Sequence, residues 1–218
     1  MKWDTIIFDL DGTLLESMGM WENLGNRYLL SLGITPPSGL RDTLWTMDLA
    51  ECARYLVSTF HIQSTPEDVV SAIHKMIRDA YRYEIECKPG AKALLEALAE
   101  KNIPICLATA TDRAIFTPAL ERLDIIKHFS FTRSCFEAGE GKRSAKIYLD
   151  CADFLNLPPE ELVVVEDTFH AASTAKRAGF TVIGVRDTFA ARDWDGLARI
   201  CDRFIDSLEE LTGDVLSF

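Results

Sequence analysis

No stretch of this chain is apolar for long enough to suggest a membrane span. The longest segment free of charged residues, Tyr28 to Leu40, carries Pro36 and Pro37 and stops well short of the ~20 apolar residues a spanning helix needs. Positive charge is also scarce. Lysine and arginine total 23 against 34 aspartates and glutamates, for a formal charge of -11. Such a surface repels nucleic acid and anionic membranes, so neither is expected as a partner. The six cysteines (Cys52, Cys87, Cys106, Cys135, Cys151, Cys201) include no C-x-x-C pair, which argues against a zinc site or a disulfide framework. At the N-terminus, Lys2 is followed only by the apolar Ile6-Ile7-Phe8, which Asp9 and Asp11 interrupt. No export signal is expected there, and the expected compartment is the cytoplasm. The chain also lacks internal repeats and low-complexity tracts.

What is present suits a folded protein. With 218 residues, 48% of them hydrophobic, the chain can hold one domain plus a smaller one, or a single large domain. Asp4 to Asp9 is a short apolar run, the pattern of a strand buried on both faces. Helical spacing follows at Trp21, Leu24, Tyr28, Leu29 and Leu32 until Gly33 stops it. A second helix is predicted over 49–60. A third starts with Thr65 as N-cap and Pro66 at the first helical position, with Val69, Val70, Ile73, Met76, Ile77 and Ala80 on one face.

After Lys88-Pro89-Gly90 the texture changes to alternating helix and strand, with strands predicted near 103–108, 129–131, 162–165 and 181–185. Alternation of this kind predicts an α/β fold, a doubly wound parallel sheet with helices on both faces. The expected organisation is a Rossmann-like core of residues 1–15 and 88–218, interrupted by a helical insertion of residues 16–87.

Ligands of open parallel sheets bind beyond the carboxyl ends of the strands. Asp9-Leu10-Asp11-Gly12-Thr13 follows the first predicted strand and Thr109-Ala110-Thr111 the second; the third leads to Gly141-Lys142, and the fourth to Glu166-Asp167-Thr168. Each residue type has a task in phosphoryl transfer. Asp9 and Asp167 suit Mg²⁺, which prefers oxygen ligands, with Glu166 as an outer or alternative ligand. Asp9 could attack phosphorus to form an aspartyl-phosphate, and Asp11 could protonate the leaving group and then activate water. Lys142 and Thr109, with Ala110 beside it, would hold the phosphoryl oxygens; the lysine is the local cation that an acidic surface demands.

Each motif has a plainer reading. D-x-D-G is equally a turn, Glu166 and Asp167 are ordinary first-turn acids of a helix, Thr109 and Thr111 could cap one, and Lys142 could be a solvated loop lysine. Four such motifs at successive strand ends favour the chemical reading.

Phe8-Asp9-Leu10-Asp11-Gly12-Thr13-Leu14, Thr109, Gly141-Lys142 with Ile147-Tyr148, and Val165-Glu166-Asp167-Thr168 resemble the four motifs of the haloacid dehalogenase-like hydrolase superfamily. The branch most similar has a helical cap after the first motif, as in phosphoglycolate phosphatase and beta-phosphoglucomutase. The resemblance implies the roles just given, adds the carbonyl of Asp11 as a metal ligand, and implies a cap that opens and closes. It implies a Mg²⁺-dependent phosphatase acting on a small phosphorylated metabolite, as a monomer or weak homodimer. Asp11 argues against dehalogenation, and Trp21 stands where the mutase pattern has a cap histidine. Glu16-Ser17 replaces the frequent Asp-Ser, and Arg143 replaces a usual proline and is expected to face water. Met18, Trp21, Arg41, Trp45 and Arg78 are the cap residues expected to set specificity. A phosphomutase and a non-catalytic member of the fold are the competing readings.

Overall fold

A computed structural model describes residues 5–216, so Asp4, where the first predicted strand begins, lies outside the described residues. β1 (Ile6–Phe8) is buried on both faces, as its unbroken apolar sequence requires. The chain then turns through Gly12 and enters five helices: α1 (Met18–Glu22), α2 (Leu24–Ser31), α3 (Leu40–Leu44), α4 (Leu49–Phe60) and α5 (Pro66–Tyr83). Thr65 caps α5 in a reciprocal box with Asp68, and Asp48 caps α4 with Glu51 in the same way.

The remaining chain alternates. It runs through α6 (Ala91–Glu100), β2 (Ile105–Thr109), α7 (Arg113–Arg122), β3 (Phe131–Ser134), α8 (Cys135–Ala138), α9 (Lys146–Leu155) and β4 (Val163–Glu166). It continues through α10 (Phe169–Arg177), β5 (Thr181–Val185), α11 (Trp194–Ile200), β6 (Arg203–Ile205) and α12 (Glu209–Leu216). Gly90 opens α6 with φ +79°, and a Cβ there would lie 2.6 Å from the Glu209 nitrogen. Both conditions demand glycine.

The six strands form a parallel sheet in the order β3-β2-β1-β4-β5-β6. The α/β expectation therefore holds, and the order is that of doubly wound folds that switch direction beside β1. Ile7, Cys106, Val164 and Val182 pack with Tyr148, Cys151, Ala172 and Ala175 of α9 and α10. Their alternates Ile6, Phe8, Leu107, Val163 and Val165 are equally buried, so both faces are covered. Full burial contributes about 1.5–3 kcal/mol for each such Ile or Phe.

Two strand predictions need correction. β3 runs Phe131–Ser134 rather than around 129–131: Ile126–His128 form a 3₁₀ turn, and pairing starts only as Ser130 N donates to Ile105 O at 2.8 Å. The polar Thr132-Arg133-Ser134 gave no apolar signal because β3 is an edge strand. β6 was not expected at all, for the same reason. It is short, at the other edge, and only Ile205 in it is fully buried.

The chain divides into two compact units, Met1–Ser17 with Ile85–Phe218, and Met18–Glu84. Residues 15–17 and 85–87 fall with the sheet unit because they pair with each other: Leu15 bridges Cys87, and Glu16 N donates to Glu86 O at 2.9 Å. Among the described residues, no helix is long and apolar enough to cross a membrane.

Candidate active site

Strand register determines which residues meet. Phe8 lies opposite both Leu107 and Val165, and Asp9 N donates to Val165 O at 3.0 Å. Asp9 therefore leaves the sheet between the ends of β2 and β4, at the point where strand order reverses. Asp9, Glu166 and Asp167 are all buried, and each offers a carboxylate oxygen within 4.8 Å of the others. Lys142 reaches the same point, and its buried ammonium donates to Asp9 Oδ1 and Glu166 Oε1. Tyr148 Oη adds a 2.8 Å hydrogen bond to the same Glu166 oxygen.

Three buried carboxylates face one buried cation, and the electrostatics follow from that imbalance. Burial pulls the Lys142 ammonium down, but Asp9 and Glu166 more than offset it, so its pKa is raised and the lysine stays charged. Burial lifts Asp167 well above the usual carboxylate range, and the charges of Asp9 and Glu166 lift it further. Asp167 Oδ2 is buried and accepts no hydrogen bond. A buried acceptor of this kind in an all-oxygen donor set fits a hard cation.

Asp11 sits apart from this cluster. Its carboxylate is only half-buried and accepts from Ser17 Oγ at Oδ1 and from Thr111 Oγ1 at Oδ2, both at 2.6 Å. The chain between Asp9 and Asp11 does not stay extended: Leu14 N and Leu15 N both donate to Leu10 O, and Gly12 has φ +88°. The D-x-D-G segment is thus a turn as well as a carrier of carboxylates. Thr109 is buried at the end of β2, and its Oγ1 accepts from Thr111 N at 3.0 Å; Ala110 is exposed between them.

The plainer readings of the other motifs do not describe these positions. Asp112 caps α7, so neither Thr109 nor Thr111 does. Thr168 stands at the N-cap of α10, which leaves Glu166 and Asp167 before the helix. Lys142 is not solvated, whereas Arg143 is exposed, as expected. Sequence reasoning overlooked Ser17 and Tyr148 as partners, and considered Thr111 only as a cap. Ser17 follows Asp11 by six residues and Tyr148 follows Lys142 by six, but only the tertiary arrangement gives those intervals meaning.

In the helical unit, Trp21 Nε1 donates to Tyr81 Oη at 2.9 Å, with the two rings edge-on. Trp21 also lines a cavity of about 360 Å³ with Met18, Arg41, Leu44, Trp45 and Met47, and Arg41 pairs with Glu22 on its wall. Arg78 is exposed and does not line this cavity.

Known proteins share this architecture. A phosphorylated carbohydrates phosphatase of Thermotoga maritima is 27% identical over 176 residues, covering 81% of this chain and 82% of the relative. A phosphoglycolate phosphatase of Chromobacterium violaceum is 26% identical, covering 94% of this chain and 93% of the relative. Among solved structures, a Thermotoga maritima protein provisionally assigned as a beta-phosphoglucomutase superposes with a TM-score of 0.83 at 25% identity, over 98% of each chain. Residues 3–179 match the family model of haloacid dehalogenase-like hydrolases, and with the strand-end carboxylates this places the chain in the haloacid dehalogenase-like hydrolase family.

Proposed function

We propose that this chain is a Mg²⁺-dependent phosphatase that hydrolyses a small phosphomonoester through an aspartyl-phosphate on Asp9. The observation that carries the reading is the division of labour between the two aspartates of one turn. Asp9 lies in the buried cluster with Lys142, Glu166 and Asp167, while Asp11 is held outside it by two hydroxyls. The family assignment and the two phosphatase relatives, which act on phosphorylated carbohydrates and on phosphoglycolate, support the same reaction class.

An Asp9 carboxylate oxygen attacks phosphorus and the bond from phosphorus to the leaving oxygen breaks, while Asp11 transfers its proton to that oxygen. Asp11, now ionised, takes a proton from water as the water oxygen attacks the phosphorus of phospho-Asp9. The bond to Asp9 breaks and inorganic phosphate leaves. Lys142 and Thr109 hold phosphoryl oxygens, with Ala110 at the same rim, and Glu166, whose Oε1 also accepts from the Tyr148 hydroxyl, holds Lys142 in place. Asp9, Asp167 and the carbonyl of Asp11 would hold Mg²⁺, with Glu166 in an outer position; the ion supplies charge neutralisation beside the phosphoryl group. We assign the chemistry to the sheet unit and the choice of substrate to the helical unit acting as a cap. A reducing compartment such as the cytoplasm suits the six free cysteines, and a monomer or weak homodimer suffices for this chemistry.

The test is a phosphate-release screen over sugar phosphates, phosphoglycolate, nucleotides and pyrophosphate, with and without Mg²⁺. Release is expected only with the ion, and Asp9→Asn is expected to abolish it while leaving the fold intact. Full activity in that variant overturns the nucleophile assignment. The resemblance to a structure assigned as a mutase favours a second reading, in which phospho-Asp9 passes its group to another substrate. Against it, Trp21 occupies the cap position, and an indole bonded to Tyr81 is no acid or base. Product isomerisation with little phosphate release would establish the mutase instead.

A further inference from the structure

Lys88 lies just before α6, outside every motif that carries the proposed chemistry, yet it is tied to the turn that bears both aspartates. Its Nζ donates to Gly12 O at 2.8 Å, to Asp187 Oδ2 at 2.7 Å and to Arg186 O at 3.3 Å, using all three ammonium protons. Its backbone N donates to Leu14 O at 2.9 Å. The counter-ion is equally constrained. Asp187 is 1% exposed, its Oδ1 accepts from Phe189 N at 2.8 Å, and its carbonyl accepts from Trp194 Nε1 at 2.9 Å. Lys88 therefore joins the loop after β5 to the turn after β1 through an ion pair whose carboxylate is buried and whose ammonium is largely so.

The point of attachment is specific. Gly12 has φ +88°, a region in which one peptide can swing against the next. The peptide before Gly12 is fixed because Gly12 N donates to Leu15 O at 3.1 Å. The peptide after it is fixed by the Lys88 ammonium. Both flanks of the residue next to Asp11 are thereby immobilised, and the Ser17 and Thr111 hydroxyls complete the orientation at the carboxylate.

We propose that Lys88, paired with Asp187, is a positioning residue that aims Asp11 at the leaving-group oxygen by clamping the Gly12 carbonyl. This rests on the reading of Asp11 as the proton donor. Proton donation matters most for poor leaving groups, so the clamp has a signature that a general structural role lacks. As phospho-Asp9 forms, an alkoxide needs the Asp11 proton in order to leave, whereas p-nitrophenolate departs nearly unaided.

The experiment compares kcat/KM, which reports the steps up to departure of the leaving group and leaves out the later hydrolysis of phospho-Asp9, for p-nitrophenyl phosphate and for the alkyl phosphate hydrolysed fastest in the release screen. The double variant Lys88→Met with Asp187→Asn removes both charges together and leaves neither buried unpaired. It is expected to lower the alkyl rate by roughly 10- to 100-fold, the scale of a displaced catalytic group, and the aryl rate far less. Asp187→Asn alone, which keeps Lys88 on Gly12, is expected to hold the ratio of the two rates near wild type. Lys88→Gln serves if the double variant does not fold, with a smaller fall in the same direction. Equal loss on both substrates, or no loss, in a folded Lys88 variant overturns the proposal. Asp11→Asn distinguishes the underlying reading: if it leaves the ratio unchanged, Asp11 is not the acid and that reading fails instead.

Discussion

Thr111 Oγ1 donates to Asp11 Oδ2 at 2.6 Å, a bond between residues one hundred positions apart that joins the ends of β1 and β2. With Ser17 on the other oxygen, it keeps this carboxylate apart from the buried cluster around Asp9, although only Leu10 separates the two aspartates in sequence.

Thr111→Val keeps the shape and removes the donor. Hydrogen bonds to charged groups contribute about 1.5–3 kcal/mol, but Ser17 and solvent remain available to Asp11, so the stability loss should fall at or below the lower end of that range. Alkyl phosphate turnover is expected to fall by roughly tenfold or more, with KM little changed. Steady-state kinetics beside a thermal melt checks both. Unchanged turnover would show that Ser17 alone orients Asp11.

Asp167 offers a prediction whose sign is opposite to that of most substitutions. Its buried Oδ2 has no partner, and Asp9 and Glu166 crowd the same space. In metal-free protein, Asp167→Asn is expected to raise the melting temperature, because burial and the charges of Asp9 and Glu166 oppose ionisation of this carboxyl in the folded state but not in the unfolded one. Mg²⁺ should stabilise the wild type by about 2.7 kcal/mol at a hundred times its dissociation constant and stabilise the variant far less. Melts with EDTA and with Mg²⁺ decide the matter. A metal-free variant less stable than wild type would mean that Asp167 is held by something other than a cation.

Glu137 closes the capping box at the start of α8, where Arg113 holds its carboxyl down to about 2 from an ordinary 4.5; burial opposes this, and Ser134 N and Oγ assist. A lowered folded-state pKa favours the native state above the unfolded value, so the contribution is complete above about pH 4.5 and disappears as pH falls toward 2. Because the pair is solvent-accessible, Glu137→Gln should cost only about 0.2–1 kcal/mol near neutrality. The gap between wild type and variant should close on acidification. Denaturant titrations at neutral and acid pH measure it; a gap that widens in acid would refute the assignment.

The fold was legible where burial was uniform. Unbroken apolar runs at Ile6–Phe8, Ile105–Ala108, Val163–Val165 and Val182–Val185 marked central parallel strands, since both faces of such strands are covered. Edge strands face solvent on one side, so β3 and β6 carry polar residues that read as loop. The start of α5 was also legible, because a capping box is a local hydrogen-bonding pattern written in consecutive residues.

For the site, the sequence by itself determined which groups follow the strands: Asp9, Asp11, Thr109, Glu166 and Asp167 at strand ends, and Lys142 further on, in the loop before α9. A strand's end and a turn's glycine are local properties, and apolar pattern plus turn chemistry specify them. The tertiary structure alone decided which of those groups meet. Strand order and register bring β1 between β2 and β4, and that placement puts Lys142 on Asp9 and Glu166 while Thr111 and Ser17 take Asp11. It also brings in Tyr148, Lys88 and Asp187, whose roles consist of contacts across the fold and leave no mark in the residues beside them. Partner choice among buried polar groups depends on distances between chain segments, and those distances exist only once the sheet has formed.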